Sequence, residues 1–252
     1  MAKQNAILWN PASDLELPRK GRRLPHHVLT LTEVERVLAV PNVRDGLGLR
    51  DRAILEVLFG TGMRRLELCG LGVYDLDIER GTLHIRHGKG DKERVVPIGE
   101  RALSWLGKYM DVVRPALVVD ESEEALFLTR MGTTMGADAL TERVRHYVRD
   151  SGIGKRGACH LFRHSMATLM LEGGADVRFV QEMLGHTKLE TTQIYTQVSI
   201  SKLREVYVKT HPAAYLGRRA GRADAVSGAT GDDAADLLTH LDEEAVEEDE
   251  PS

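Results

Sequence analysis

Two cysteines, Cys69 and Cys159, are all that 252 residues supply. That excludes a disulfide framework and a thiolate-rich zinc site, and it fits a chain of the reducing cytoplasm carrying two ordinary buried thiols. Apolar runs are short as well. None reaches the roughly 18 residues that a membrane span needs, so neither a transmembrane helix nor a membrane partner is expected. The opening Met1-Ala2-Lys3-Gln4-Asn5 lacks the apolar segment of a signal peptide. A carboxylate cluster of the two-metal kind and a glycine-rich nucleotide loop are both missing, so no metal and no cofactor is expected.

What is present is enough for a core: 42% of the residues are hydrophobic. The net charge of −4 is unevenly spread. Residues Gly217 to Ser252 carry 3 arginines against 11 Asp plus Glu, a balance of −8, which leaves 31 Lys plus Arg against 27 Asp plus Glu, or +4, in residues 1–216. A mildly basic body with an acidic end neither proves nor excludes binding to DNA, because counterion release depends on local basic patches.

Residues 1–30 show no sustained period. Pro11, Pro18 and Pro25 interrupt them, and Arg19, Lys20, Arg22 and Arg23 form a basic strap, read as an extended linker-like segment. Thr32 and Glu35 make a capping box for a helix that Pro41 stops. A second helix over Leu47–Gly60 carries an apolar stripe of Leu49, Ala53, Ile54, Val57 and Leu58. Residues 82–86 and 94–98 alternate like strands around Gly88-Lys89-Gly90-Asp91-Lys92, which predicts a hairpin. Helices follow over Glu100–Val113 and Ala137–Asp150, with the short buried stretch Leu126-Phe127-Leu128 between them. Further helices are expected at His160–Leu171, around Val177–Leu184, around Thr191–Val198 and at Ser201–Lys209. Arg143, Arg145 and Arg149 on the Ala137–Asp150 helix face either a DNA groove or phosphates, or solvent. Residues 213–252 read as an acidic, disordered tail. That tail is either a solubilising segment or a DNA mimic lying over the basic face.

The chain is organised around Cys159–Tyr195. His160 and Arg163 are three apart and share a helix face. His186 follows a glycine that ends one helix, and Tyr195 lies on the next. An arginine offers a fixed fork of donors to phosphate oxygens, a histidine can move a proton near neutrality, and a tyrosine hydroxyl is a candidate covalent nucleophile. Upstream, Arg64 stands at the start of a short helix with Glu67 three residues on. Taken alone, that pair reads as an exposed salt bridge, and Lys89 between its glycines as an ordinary turn lysine. Arg65 and His164 read as a solvated charge and a structural residue that points away.

Together these stretches resemble the catalytic domain of the tyrosine site-specific recombinases, the phage integrase and Xer family. His160-Leu161-Phe162-Arg163-His164 matches its H-x-L-R-H box, with Phe162 in place of the usual Leu. Leu184-Gly185-His186 with Tyr195 nine residues later, Thr61-Gly62-Met63-Arg64-Arg65-Leu66-Glu67-Leu68, and the hairpin Gly88 to Pro97 match three more boxes in the family's order. The resemblance covers residues 25–212. It implies an α+β, mainly helical domain with a small antiparallel sheet over 31–212. The family's N-terminal core-binding domain is expected to be missing from this chain. Catalysis by Arg64, Lys89, His160, Arg163, His186 and the nucleophile Tyr195 is implied, with Glu67 in support. Lys92, Arg94 and the strap residues Arg19, Lys20, Arg22 and Arg23 would meet DNA.

The implied activity is strand cleavage and rejoining through a 3′-phosphotyrosyl link, in the cytoplasm, without metal or ATP. It would act on double-stranded DNA as a homo- or hetero-tetramer with a partner recombinase. Two alternatives share these residues: a DNA-binding regulator or truncated remnant unable to recombine, and a type IB topoisomerase-like nicking and resealing enzyme.

Overall fold

The structure is a computed structural model and describes residues 28–86, 93–185, 200–214 and 232–249. The basic strap, the hairpin tip and the segment around Tyr195 lie outside these residues. The first helix, α1 (Leu31–Leu38), starts two residues earlier than the capping box at Thr32 would place it. Thr30 is the N-cap: its backbone N–H donates to Glu33 Oε2 at 2.7 Å and its hydroxyl accepts from the Glu33 N–H at 3.3 Å. The sequence offers two overlapping T-x-x-E patterns. The earlier one puts Leu29 and Val34 at the staple positions flanking the cap, and both are fully buried.

Helix α2 (Gly46–Thr61) is the hub, with α4 (Glu100–Lys108) and α7 (Cys159–Glu172) packed against it. The expected stripe is there except that Leu49 is only partly buried, but Leu55, Phe59 and Gly60 are buried too, so the helix is covered on all sides. Its charges are therefore paired inside the protein. Arg50 donates to Asp51 Oδ1 at 2.8 and 2.9 Å and to the Leu128 carbonyl at 2.7 Å; Asp51 Oδ2 accepts from the Tyr147 hydroxyl at 2.6 Å and from Arg143 at 3.0 Å. Glu56 accepts from Arg52 and Arg101, each at 2.8 Å. Each such charge would be costly if left alone.

After α3 (Arg65–Cys69), the strands β1 (Leu76–Asp77), β2 (Thr82–Ile85) and β3 (Arg94–Pro97) form an antiparallel sheet in that order, with Leu83 opposite Val96 and Ile85 opposite Arg94. The hairpin strands are as expected; β1 is an addition too short for an alternation to reveal. The helix expected over Glu100–Val113 is not uniform. It opens into a π-helical turn at Tyr109–Val113 and continues as α5 (Arg114–Leu117). Pro115 has no N–H to continue the α-helical ladder, which favours the wider turn before it. Tyr109 is buried there, with its hydroxyl donating to the Leu126 carbonyl and accepting from the Leu128 N–H, so it holds the buried 126–128 stretch.

Helices α6 (Ala137–Asp150), α7, α8 (Val177–Leu184) and α9 (Ile200–Thr210) complete the body close to their expected bounds. The arrangement is the mainly helical α+β fold that the sequence implies. Beyond it the structure corrects an expectation: part of the tail read as disordered is an 18-residue helix, α10 (Asp232–Asp249), packed on α7 and α8. Its apolar residues explain this. Leu237 and Leu241 are buried and Ala234 and Leu238 pack beside them, a stripe at helical spacing inside an acidic composition.

Candidate active site

Arg64 is the N-cap of α3. Its backbone N–H donates to Glu67 Oε2 at 2.9 Å, and its guanidinium reaches Glu67 Oε1 at 3.2 Å and Glu244 Oε1 at 2.6 Å. The pair with Glu67 is therefore not the exposed bridge expected of the two residues alone. The chain arrives at Arg64 through Gly62, which ends α2 in the left-handed region at φ 62°. A Cβ on Gly62 would stand 2.1 Å from Met166 Cε, so the turn is also pressed against α7.

Arg163, buried on α7, is held by backbone. Nη1 donates to the Gly62 carbonyl at 2.7 Å and Nη2 to the Leu184 carbonyl at 3.2 Å. These carbonyls close α2 and α8, ends where the helix dipole and the unpaired acceptors favour a cation. The fork thus ties two helix ends to a third helix. Burial, then repulsion from Arg64, pushes its pKa down to about 10, against the pull of Glu244 and Glu67. The group stays charged at neutral pH, in surroundings that favour a neighbouring anion. Arg64 shifts the other way: burial opposes its charge, but the hydrogen bond and charge of Glu244, with Glu67 behind them, raise its pKa above the ordinary value.

Glu67 is the anchor beneath. Arg94 grips it with two bonds, Nη1 to Oε1 at 2.8 Å and Nη2 to Oε2 at 2.7 Å, and donates through Nε to the Met183 carbonyl at 3.1 Å. Burial would raise the Glu67 pKa; the Arg94 bonds and charge outweigh it and hold the carboxyl below the usual range. Arg94 was expected at a DNA backbone or in solvent. It is instead a largely buried strut between β3, α3 and the end of α8. Gly185 leaves room for it: φ is 71° there, and a Cβ would sit 2.9 Å from Arg94 Nη1.

His160 lies on the first turn of α7, one turn before Arg163, and is partly exposed. His164 does not point away. It is buried with Nδ1 3.1 Å from Asp242 Oδ1 of α10. Arg65 is not a solvated charge either; its largely buried side chain lies 3.4 Å from both Asp138 and Thr141 of α6. Arg143 pairs with Asp51, Arg145 with Glu142 and Arg149 with Asp150, so each basic residue proposed for the α6 face has an acidic neighbour. Lys89, Lys92, His186, Tyr195, Arg19, Lys20, Arg22 and Arg23 lie outside the described residues. Among the described residues, no cluster of three or more His, Cys, Asp and Glu side chains is arranged to hold a metal ion, and no helix is long and apolar enough to cross a membrane.

The structure thus brings together Arg64, Glu67 and Arg163 and adds two residues that the sequence did not reveal, Arg94 as a clamp and Glu244 as an anion between the two arginines.

A mainly helical domain fixes two largely buried guanidinium groups around the one carboxylate of Glu244, an arrangement of donors that an oxyanion can accept from. The chain belongs to the phage integrase family, whose model matches residues 27–202. Among curated relatives it is 49% identical over 229 residues to Tyrosine recombinase XerC 2 of Ralstonia nicotianae, covering 91% of this chain and 66% of that protein. It is 40% identical over 212 residues to Tyrosine recombinase XerD of Lacticaseibacillus casei, covering 84% and 72%. The crystal structure of XerA recombinase matches with a TM-score of 0.58 at 33% identity, over 77% of this chain and 66% of that one. XerH site-specific recombinase bound to its difH substrate matches with a TM-score of 0.56 at 29% identity, over 77% and 55%. The chain spans about two thirds of the length of the first of these relatives.

Proposed function

We propose that this chain cleaves and rejoins DNA strands for site-specific recombination, through a covalent 3′-phosphotyrosyl intermediate. The observation that carries the reading is the placing of Arg64 and Arg163 on the two oxygens of one carboxylate, at 2.6 and 3.2 Å. Two non-bridging oxygens of a scissile phosphate present the same pair of acceptors. Guanidinium groups already fixed in that geometry stabilise the charge that develops at phosphorus without reorganising. Arg163 is fixed by two carbonyls, and Arg64 by Glu67, itself clamped by Arg94. The last two are positioning residues.

In this reading Tyr195 attacks phosphorus as the phenolate, a bond forms from its oxygen to phosphorus, and the bond to the 5′-oxygen breaks. Lys89 gives the departing 5′-oxygen a proton. A free tyrosine titrates near pH 10, so the phenolate needs a proton acceptor, the role assigned to His160, while His186 donates to a phosphate oxygen. The phosphodiester is kept as a phosphotyrosyl ester, and attack by the 5′-hydroxyl of another strand reverses the step without an energy source. The substrate is double-stranded DNA. The acting form is a tetramer on DNA, made of this chain or of this chain with a partner recombinase, in the cytoplasm.

The test is covalent trapping. Wild type and Tyr195→Phe are mixed with nicked duplexes carrying candidate sites and resolved under denaturing conditions. A protein–DNA adduct in wild type that is lost in Tyr195→Phe is expected. An adduct that survives in the Phe variant would assign the nucleophile elsewhere.

A further inference from the structure

The acidic helix α10 is more than a soluble end. Nine of its 18 residues are Asp or Glu and none is Lys or Arg. One of them is inside the site. Glu244 is only 7% exposed, with Oε1 2.6 Å from Arg64 Nη2 and Oε2 3.2 Å from Arg163 Nη2. Its partners are the two groups assigned to the scissile phosphate, and its two oxygens divide between them. Two further contacts hold the helix in this register. Leu241 and Leu237, one and two turns before Glu244, are buried in the core, and Asp242 meets the buried His164 on α7. The apolar stripe and the carboxylate therefore lie on one helix face, and the helix docks with Glu244 aimed at the arginines.

The charges explain why such an anion is held. Arg64, Arg94 and Arg163 bring three positive charges into largely buried space and Glu67 compensates one; Glu244 supplies a second. Without an anion there, two guanidinium groups would face each other with little water to separate them. A DNA phosphate would satisfy the same need, and it cannot enter while Glu244 is seated.

We propose that α10 is an intramolecular phosphate mimic that closes the site in the free protein and must leave before DNA is engaged. This rests on the assignment of Arg64 and Arg163 to the scissile phosphate. Docking in cis reduces the apparent affinity for DNA by the fraction of molecules in which the helix is released.

The full-length chain is compared with Glu244→Gln and Glu243→Gln. Glu243 carries the same charge one residue away, with its side chain 72% exposed and beside His240 rather than the arginines. Binding of a mixed-sequence duplex, which needs no knowledge of the target site because phosphate contacts are sequence-independent, is read by fluorescence anisotropy. Hydrogen exchange of residues 232–249 is followed with and without the duplex.

Glu244→Gln is expected to bind about tenfold more tightly than wild type, as for a helix docked roughly 90% of the time, and Glu243→Gln to stay within about twofold. The α10 amides of wild type should lose protection when DNA is added. Equal gains for the two variants would reduce the effect to bulk charge and overturn the proposal. So would unchanged affinity with α10 still protected in the complex; in both cases the strand-cleavage reading stands. Absence of duplex binding by all three proteins would sink that reading and the proposal with it.

Discussion

At the scale of single residues, the site depends on positions that carry no chemistry themselves. Gly62 combines a left-handed φ of 62° with a carbonyl that accepts from Arg163. In Gly62→Ala the clash with Met166 Cε involves a movable methyl, so the cost is mainly the backbone conformation, about 1–2 kcal/mol. Urea denaturation should show that loss, and an unchanged midpoint would mean that the turn relaxes freely. Glu67 carries more. Replacing it with Gln leaves the buried Arg94 and Arg64 with half a partner, at an expected cost of about 2–4 kcal/mol near neutral pH.

Because Arg94 holds the Glu67 carboxyl below its usual value of 4.5, its contribution is complete above that pH and is lost as pH falls through the depressed value. The stability curves of wild type and Glu67→Gln should therefore converge in acid; parallel curves would contradict the clamp. Arg64, Glu67 and Arg163 were legible in the sequence because each lies in a short local box. The role of Arg94 was not, since its partner Glu67 is 27 positions away and only the tertiary fold brings the two side chains together.

At the scale of elements, period and capping signals located most helices to within a residue or two. Where they failed the causes differ. At α1 two capping patterns overlap, and burial of Leu29 and Val34 selects the first. At Tyr109–Val113 a proline further on disturbs a helix whose periodicity looks intact. At α10, composition outweighed pattern. Ala234, Leu237, Leu238 and Leu241 are spaced as an amphipathic helix requires, but an acidic tract with few apolar residues reads as disorder until a docking surface is known.

The end of α9 gives a test at this scale. His211 is buried, stacked on Tyr207 with ring centroids 4.2 Å apart, and its Nδ1 accepts from the Ala213 N–H. Burial pushes its pKa from 6.5 to about 3. Between those values the unfolded chain takes up a proton that the folded chain refuses, so stability falls as pH drops below 6.5, by up to about 1.4 kcal/mol per pH unit from this group. His211→Phe keeps the stacked ring and should flatten that part of the curve. A slope unchanged from wild type would place the acid sensitivity elsewhere.

At the scale of the whole molecule, the helical body and its sheet serve one geometric end. The ends of α2, α3, α7 and α8 meet where the guanidinium groups of Arg64 and Arg163 converge, and β3 braces them through Arg94. The fold class and the order of the boxes were readable because the family's chemistry is written in local motifs. The acidic composition offered a DNA mimic as one reading of the tail, but neither the helix nor the carboxylate that meets the arginines was readable, because a contact spanning 180 positions leaves no local trace.

If Arg64 and Arg163 stabilise the transition state rather than merely attract DNA, the cleavage step itself depends on the guanidinium fork. The most direct measurement is the single-turnover cleavage rate of Arg64→Lys at saturating duplex, with Kd taken in parallel. A lysine keeps the charge and loses the two-pronged fork. The expected result is a rate reduced on the order of a hundredfold with Kd changed less than about threefold. A weakened Kd with an unchanged cleavage rate would contradict that dependence and leave Arg64 as a phosphate contact of ordinary binding.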